Sequence, residues 1–165
     1  MSRAVLSIGS NVGDRLGHLQ SVLDAAGAAV VAVSAVYETP PWGPVEQDDF
    51  LNAVVVAAGE GRDGRGWLDF GQRCERAAGR VRERRWGPRT LDVDVVDVDA
   101  TASADPELML PHPLAAERAF VLVPWLDADP QARLAGRSVS QLLAELPAAE
   151  LAAVRRRDDL RLVRR

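Results

Sequence analysis

Apolar positions along the chain change period several times, and each change marks an element. Ala4 to Ile8 is a short apolar run ending at Gly9-Ser10-Asn11, which predicts an opening strand and a turn. From Gly13 the spacing shifts. Leu16, Leu19, Leu23 and Ala26 fall three and four apart, the signature of one helical face, closed near Gly27. Val30 to Tyr37 is rich in β-formers and leads into Thr39-Pro40-Pro41-Trp42-Gly43-Pro44, where three prolines and a glycine exclude a sheet ladder and predict a loop. Phe50 to Ala57 reads as the next strand and Gly59 to Gly66 as a turn. Trp67, Gly71, Cys74, Ala78 and Val81 mark a second helix, and Asp92 to Val98 reads as a strand.

The order β-α-β-β-α-β predicts an α/β (α+β) fold, a ferredoxin-like αβα core with helices packed on its sheet and a C-terminal extension. In that extension Phe120 to Leu126 is apolar, Ser138 or Ser140 caps a short helix running to Leu146, and Leu160 to Val163 reads as a last strand. With 165 residues the expectation is one domain, 1–165. A composition 47% hydrophobic and 27% charged excludes bulk disorder. A formal charge of −4 argues against a protein that coats nucleic acid. The longest apolar run, Ala25 to Val36, is too short to span a bilayer, and no secretory pattern precedes the first strand. One cysteine, Cys74, excludes an internal disulfide and fits a reducing cytoplasm. A cytoplasmic protein without nucleic-acid or membrane partners is therefore expected; a monomer is the expectation for its assembly, which these features do not set.

The chemistry concentrates in Arg85-Trp86-Gly87-Pro88-Arg89-Thr90-Leu91-Asp92-Val93-Asp94. Strand side chains alternate faces, so Asp92 and Asp94 project together, about 6.6–6.8 Å apart at Cα. That spacing lets the two carboxylates serve a pair of Mg²⁺ ions about 3.5–4 Å apart. Strict alternation continues this face through Val96 and Val98, while Asp97 and Asp99 read as turn or solvent residues. Arg80, Arg82, Arg84, Arg85 and Arg89 crowd the preceding loop, where guanidinium forks suit phosphate oxygens. At least two of the five serve only solubility. Together these groups suggest metal-assisted phosphoryl transfer.

Spacing alone reads Gln72 and Glu75, three apart on the second helix, as surface polar residues, and Cys74 as core. His112 sits in a stiff Pro111-His112-Pro113 loop, and with only His18 and Cys74 as companions it does not form a zinc site. Trp42, Phe50 and Phe120 with the Asn52 amide make a flat slot with a polar edge, suited to a planar heterocycle; equally, these aromatics read as core. Neither standard glycine-rich phosphate cradle occurs.

Five collinear blocks resemble the 6-hydroxymethyl-7,8-dihydropterin pyrophosphokinase family of folate biosynthesis. They are Ile8-Gly9-Ser10-Asn11, Tyr37 to Pro44 with Phe50 to Ala53, Gly79 to Arg82, Arg85 to Asp94, and Pro111 to Pro113 with Glu117 to Phe120, spanning about residues 3 to 130. The resemblance implies a six-stranded antiparallel sheet and transfer of pyrophosphate from ATP to the pterin hydroxymethyl oxygen, releasing AMP. It makes Asp92 and Asp94 the ligands of two Mg²⁺ ions. It assigns Arg80, Arg82 and Trp86 to a closing loop over ATP, Arg89 and Arg118 to phosphate oxygens, and Gln72, Glu75, Val95 and His112 to the nucleotide. Arg82, Arg89 and Trp86 join the Asp pair as catalytic candidates. Phe50 and Phe120 would sandwich the pterin, Asn52 would read its amide edge, and Thr39, Pro40, Trp42 and Trp86 would line the slot.

The chain departs from the family pattern in places. Trp42 lies beside the loop prolines, Phe50 stands where a Tyr also occurs, Glu83-Arg84-Arg85 is about a residue shorter than in some members, and Pro113 replaces an aromatic. Two other classes compete: a non-catalytic ferredoxin-like module binding a small metabolite, and an unrelated Mg²⁺-dependent nucleotidyltransferase that would release pyrophosphate instead of AMP.

Overall fold

A computed structural model describes residues 1–41, 43–79 and 88–165. In chain order the elements are β1 (Ser2–Ser10), α1 (Arg15–Ala26), β2 (Val30–Val33), β3 (Tyr37–Thr39), β4 (Phe50–Gly59), α2 (Gly64–Ala77), β5 (Asp92–Val98), β6 (Ser103–Asp105), β7 (Leu108–Leu110), α3 (Ala119–Ala128), β8 (Arg133–Leu134), β9 (Arg137–Ser138), α4 (Val139–Ala144), α5 (Ala148–Ala152) and β10 (Arg155–Arg156). Six strands form one antiparallel sheet in the order β10-β3-β4-β1-β5, with β2 also pairing with β4. The expected β-α-β-β-α-β core and its six-stranded sheet are present.

Local chemistry sets the helix limits. Asp14 caps α1 by accepting the Gly17 N–H, and Asp63 caps α2 by accepting the Gly66 N–H. Gly27, at φ 55°, ends α1 in a conformation that a side chain would strain. Ser138, not Ser140, caps α4.

The sheet separates two apolar layers. On one side α1 and α2 cover Leu6, Ile8, Val55, Val93 and Val95, with Leu19, Leu23, Trp67 and Phe70 packed in. On the other α3 and α4 cover Val5, Val54 and Val96, with Leu122, Trp125 and Leu142. Trp67 is fully buried and its indole N–H still finds the Ser2 hydroxyl at 2.8 Å, so the ring adds apolar burial without an orphaned donor. At Gly71 a Cβ would stand 3.0 Å from Val93 Cγ1, so α2 lies almost directly on β5.

Several expectations need correction. The Val30–Tyr37 run is broken: Ser34 interrupts it by exchanging hydrogen bonds with the Val54 backbone, which separates β2 from β3. Alternation along β5 stops at a β-bulge, because Leu6 pairs with Val95 but Val5 pairs with Asp97. Val98 therefore rejoins Val93 and Val95 in the α1/α2 layer, and only Val96 shares the buried layer beneath α3. The apolar run 120–126 is helical despite Pro124. Leu160–Val163 is not a strand; the last strand is β10, while Leu160 and Leu162 pack on the first layer as irregular chain. Helix α2 ends at Ala77, and Val81 lies outside the described residues.

Candidate active site

The sheet face toward α3 carries the carboxylate pair. Along one row Asp92 stands opposite Gly9, which stands opposite Asn52; in the next row Asp94 faces Ser7, which faces Val54. Strands lie about 4.8 Å apart, so Asp92 and Asn52 are about 10 Å apart with Gly9 between them. A Cβ on Gly9 would come 2.9 Å from Asn52 Oδ1 and 3.4 Å from Phe50 Cδ1. Glycine is thus what lets the Asn52 and Phe50 side chains lie this close over β1, where sequence places the candidate slot. Buried Asn52 is locked by its Nδ2, which donates to Thr39 Oγ1 at 2.6 Å. Thr39 is buried as well, and Pro40 is exposed at the slot's mouth.

The start of α3 brings a cation to the carboxylate pair. Buried Arg118 places Nη1 3.9 Å from Asp94 Oδ2 and its guanidinium carbon 5.4 Å from the Phe120 ring centroid. Burial pulls its pKa down, and the negative charges of Asp94 and Asp92 oppose that pull. One guanidinium therefore stands between the carboxylates and an aromatic ring of the slot. A guanidinium so placed has the planar fork of donors that suits carboxylate and phosphate oxygens.

Buried Asn11 links two loops to this face. Its backbone exchanges with Arg89, donating to the Arg89 carbonyl at 3.0 Å, while its Oδ1 accepts the Arg89 N–H at 2.8 Å. Its Nδ2 donates to Gln47 Oε1 and to the Asp48 carbonyl, both at 2.8 Å. The loop bearing Arg89 and the loop between Thr39 and Phe50 are thus fastened to one side chain.

At the sheet edge beside β5 lies a cleft of about 660 Å³, bordered by Gln72, Glu75, Asp94, Val95 and His112 among others. Glu75 is buried, and its Oε2 accepts the Val93 N–H at 2.9 Å. The surface reading of Glu75 from spacing is therefore wrong: a strand N–H at an open edge drew the carboxylate inward. The His112 N–H donates to the Val96 carbonyl at 2.8 Å, strapping the 111–113 loop to the same edge. By the two-residue period of the ladder, Val95 turns its peptide groups outward as Val93 does, between these two contacts. Such an edge offers backbone donors and acceptors to a heterocycle. Burial first, and then Arg118, depresses the His112 pKa below its ordinary 6.5. Nδ1 accepts the Leu114 N–H at 3.2 Å, which leaves Nε2–H as the donor of a neutral ring.

The two carboxylates suit a hard cation. Among the described residues no group of three or more His, Cys, Asp and Glu is assembled to hold a metal. Asp92 and Asp94, half-buried on one face, instead match the donor set of Mg²⁺, which keeps waters and takes substrate phosphates alongside one or two carboxylates.

The structure brings Asp92, Asp94 and Arg118 to one face, with Phe50, Asn52 and Thr39 beside them. It gathers Gln72, Glu75, Val95 and His112 around the adjoining cleft. Trp42, Arg80, Arg82 and Trp86 lie outside the described residues. Gly9 and Asn11 were not singled out from sequence as site residues; their signals were the Ile8-Gly9-Ser10-Asn11 block of the family resemblance and an expected Gly-Ser-Asn turn, of which Gly9 and Ser10 in fact belong to β1. Among the described residues no helix is long and apolar enough to cross a membrane.

Residues 5–130 match the family of 7,8-dihydro-6-hydroxymethylpterin-pyrophosphokinase. The chain is 54% identical to the 2-amino-4-hydroxy-6-hydroxymethyldihydropteridine pyrophosphokinase of Mycobacterium leprae, with 94% of this chain and 88% of that protein covered. It is 50% identical to the protein of the same name in Mycobacterium tuberculosis H37Rv, over 99% of this chain and 91% of that one. For the Methylorubrum extorquens protein the identity is 45%, over 88% and 94%. Among solved structures, the chain resembles Plasmodium falciparum HPPK-DHPS (wild type with SDX-DHP) with a TM-score of 0.69 at 13% identity. That match covers 87% of this chain and 44% of the other, so the likeness concerns the fold of somewhat less than half of it.

Proposed function

The chain belongs to the 7,8-dihydro-6-hydroxymethylpterin-pyrophosphokinase family, and on that footing we propose that the face bearing Asp92, Asp94 and Arg118 is where its reaction takes place. The protein transfers pyrophosphate from ATP to the hydroxymethyl group of 6-hydroxymethyl-7,8-dihydropterin and releases AMP, a step of folate biosynthesis. ATP and the pterin are its substrates.

One observation carries the placement. Asp94 borders the same cleft as Gln72, Glu75, Val95 and His112, four nucleotide-contact candidates from three separate stretches of chain. The nucleotide lies along the β5 edge, where Val95 offers backbone groups and His112 its Nε2–H. Its phosphates run over Asp92 and Asp94 toward Arg118 and Arg89. The pterin fills the slot of Phe50, Asn52 and Phe120, with Thr39, Pro40 and Trp42 along its rim. The family pattern assigns Arg80, Arg82 and Trp86, which lie outside the described residues, to the same substrates.

In the reaction the pterin hydroxyl oxygen forms a bond to the β-phosphorus, and the bond from that phosphorus to the oxygen bridging toward the α-phosphorus breaks. The electron pair leaves with AMP, and the hydroxyl proton is released. Two Mg²⁺ ions held by Asp92 and Asp94 would supply the charge neutralisation that polyphosphate chemistry needs. The protein's own groups do the rest. Arg118, buried beside Asp94, meets developing negative charge with its donors in place, and the backbone of Arg89, fixed by Asn11, brings a second guanidinium to the same end of the sheet. The slot and the edge cleft hold alcohol and phosphorus in line, which removes much of the entropic barrier. No general base is assigned. The whole chain, 1–165, works as one cytoplasmic, monomeric domain; β10, in the C-terminal extension, completes the sheet that carries the site.

An incubation with ATP, Mg²⁺ and hydroxymethyl-dihydropterin tests the placement. Asp94→Ala should abolish pterin-dependent AMP formation while the protein stays folded. Near-normal turnover would refute the assignment of this face.

A further inference from the structure

The family match ends at residue 130, yet the chain beyond it returns to the base of the substrate slot. Strand β10 pairs with β3, setting Arg155 opposite Glu38 and Arg156 opposite Tyr37, and the Arg157 N–H donates to the Val36 carbonyl at 2.8 Å. The three residues of β3 end at Thr39, where the loop to Phe50 begins, and Thr39 pairs with Phe50 where that loop returns. So short a strand has little stability of its own. It is held between β4 and β10.

Side chains strengthen the hold. Glu38 alternates with Thr39 and points away from the slot, with its side chain only 13% exposed. Three guanidinium groups converge on it: Arg15 at 2.6 Å on Oε2, and Arg157 at 3.0 Å and Arg155 at 3.3 Å on Oε1. The loop's far end is caught by two of these three groups. Arg15 Nη1 donates to the Asp49 carbonyl at 3.1 Å, and Arg155 Nη2 donates to Asp49 Oδ2 at 3.2 Å. Both ends of the loop, Glu38–Thr39 and Asp49–Phe50, are thus pinned by two carboxylates, Glu38 and Asp49, and three arginines, two of them C-terminal.

We infer that the C-terminal segment is part of the pterin-binding machinery: Arg155 and Arg157 act through Glu38 and Asp49 as positioning residues that preset the 40–49 loop and its slot. This rests on the reading of Thr39, Phe50 and Asn52 as the pterin slot. A preset loop spares the substrate the cost of ordering it. The nucleotide edge at β5, on the far side of the sheet, does not depend on this network.

Calorimetric titration of the full chain tests the inference, with hydroxymethyl-dihydropterin in one series and a non-hydrolysable ATP analogue in the other. The Arg155→Ala/Arg157→Ala variant should weaken pterin binding about tenfold and leave the analogue within about twofold. Arg157→Lys, which keeps a charge and a donor, should fall between it and the parent. Adding the two substitutions to Glu38→Gln should cost little more than Glu38→Gln alone, since all act in one network. If the double alanine variant does not fold, Arg157→Lys decides by the same split between pterin and analogue. Unchanged pterin affinity with a lowered Tm would overturn the inference, as would equal loss of both ligands. Asn52→Ala separates the two levels: if it binds pterin normally, the slot reading falls and this inference with it. If it loses the pterin while the arginine variants keep it, only this inference falls.

Discussion

Gly9→Ala should cripple the pterin slot while leaving the nucleotide cleft intact. The added methyl would lie 2.9 Å from Asn52 Oδ1, inside contact distance, and 3.4 Å from Phe50 Cδ1. Asn52 has little freedom to move, because it is 4% exposed and bonded to Thr39. Forcing a methyl into such packing costs about 1–3 kcal/mol. Bending the Asn52–Thr39 hydrogen bond costs a further share of its net worth of about 0.5–1.5 kcal/mol. Against this, replacing a strand glycine gains about 0.5–1 kcal/mol of backbone entropy. The net destabilisation is about 1–3 kcal/mol, read as a lower Tm. Pterin affinity should fall about ten- to a hundredfold, because the displaced groups are those proposed to contact it. Calorimetry with each ligand separates the effects. Pterin affinity within about twofold of the parent, at a normal Tm, would refute the placement of Gly9 beneath the slot.

Two further outcomes follow from the carboxylates of Glu75 and Glu38. Glu75→Ala strands the Val93 N–H at the edge of β5 and should lower stability by about 1–3 kcal/mol, with weaker binding of the ATP analogue; equal denaturant midpoints for variant and parent would contradict it. Glu38 is held below its usual 4.5, first by the Arg15 hydrogen bond and then by Arg157. Its contribution is complete above that pH and is lost as pH falls, since the unfolded chain then binds the proton more readily. Tm should decline on acidification below about pH 4.5 in the parent and decline less in Glu38→Gln; parallel curves would contradict the network around Glu38.

The parts of the site legible in sequence were those written in period and chemistry. Asp92 and Asp94 stand on one face because a strand alternates, and the helix holding Gln72 and Glu75 was visible in its apolar spacing. What alternation does not reveal is where it stops. Val96 and Val98 are both apolar, so nothing in the sequence marks the bulge that turns Val98 to the opposite layer. The burial of Glu75 depends on a backbone partner, which a side-chain pattern does not display. Strand β10 was illegible for a similar reason. No local pattern ties Arg155 and Arg157 to their partners Glu38 and Asp49, which lie more than a hundred residues earlier. The hairpin of β6 and β7 bears too little apolar pattern to separate it from a loop.

The central claim is that Asp92 and Asp94 hold the metal ions that neutralise the ATP phosphates. Electron paramagnetic resonance with Mn²⁺ in place of Mg²⁺, titrated in the presence of a non-hydrolysable ATP analogue, tests it most directly. The account predicts two bound ions per chain in the parent, loss of protein-held Mn²⁺ in Asp92→Ala/Asp94→Ala, and no pterin-dependent AMP from that variant. Two tightly held ions in the double variant, with AMP release intact, would contradict it.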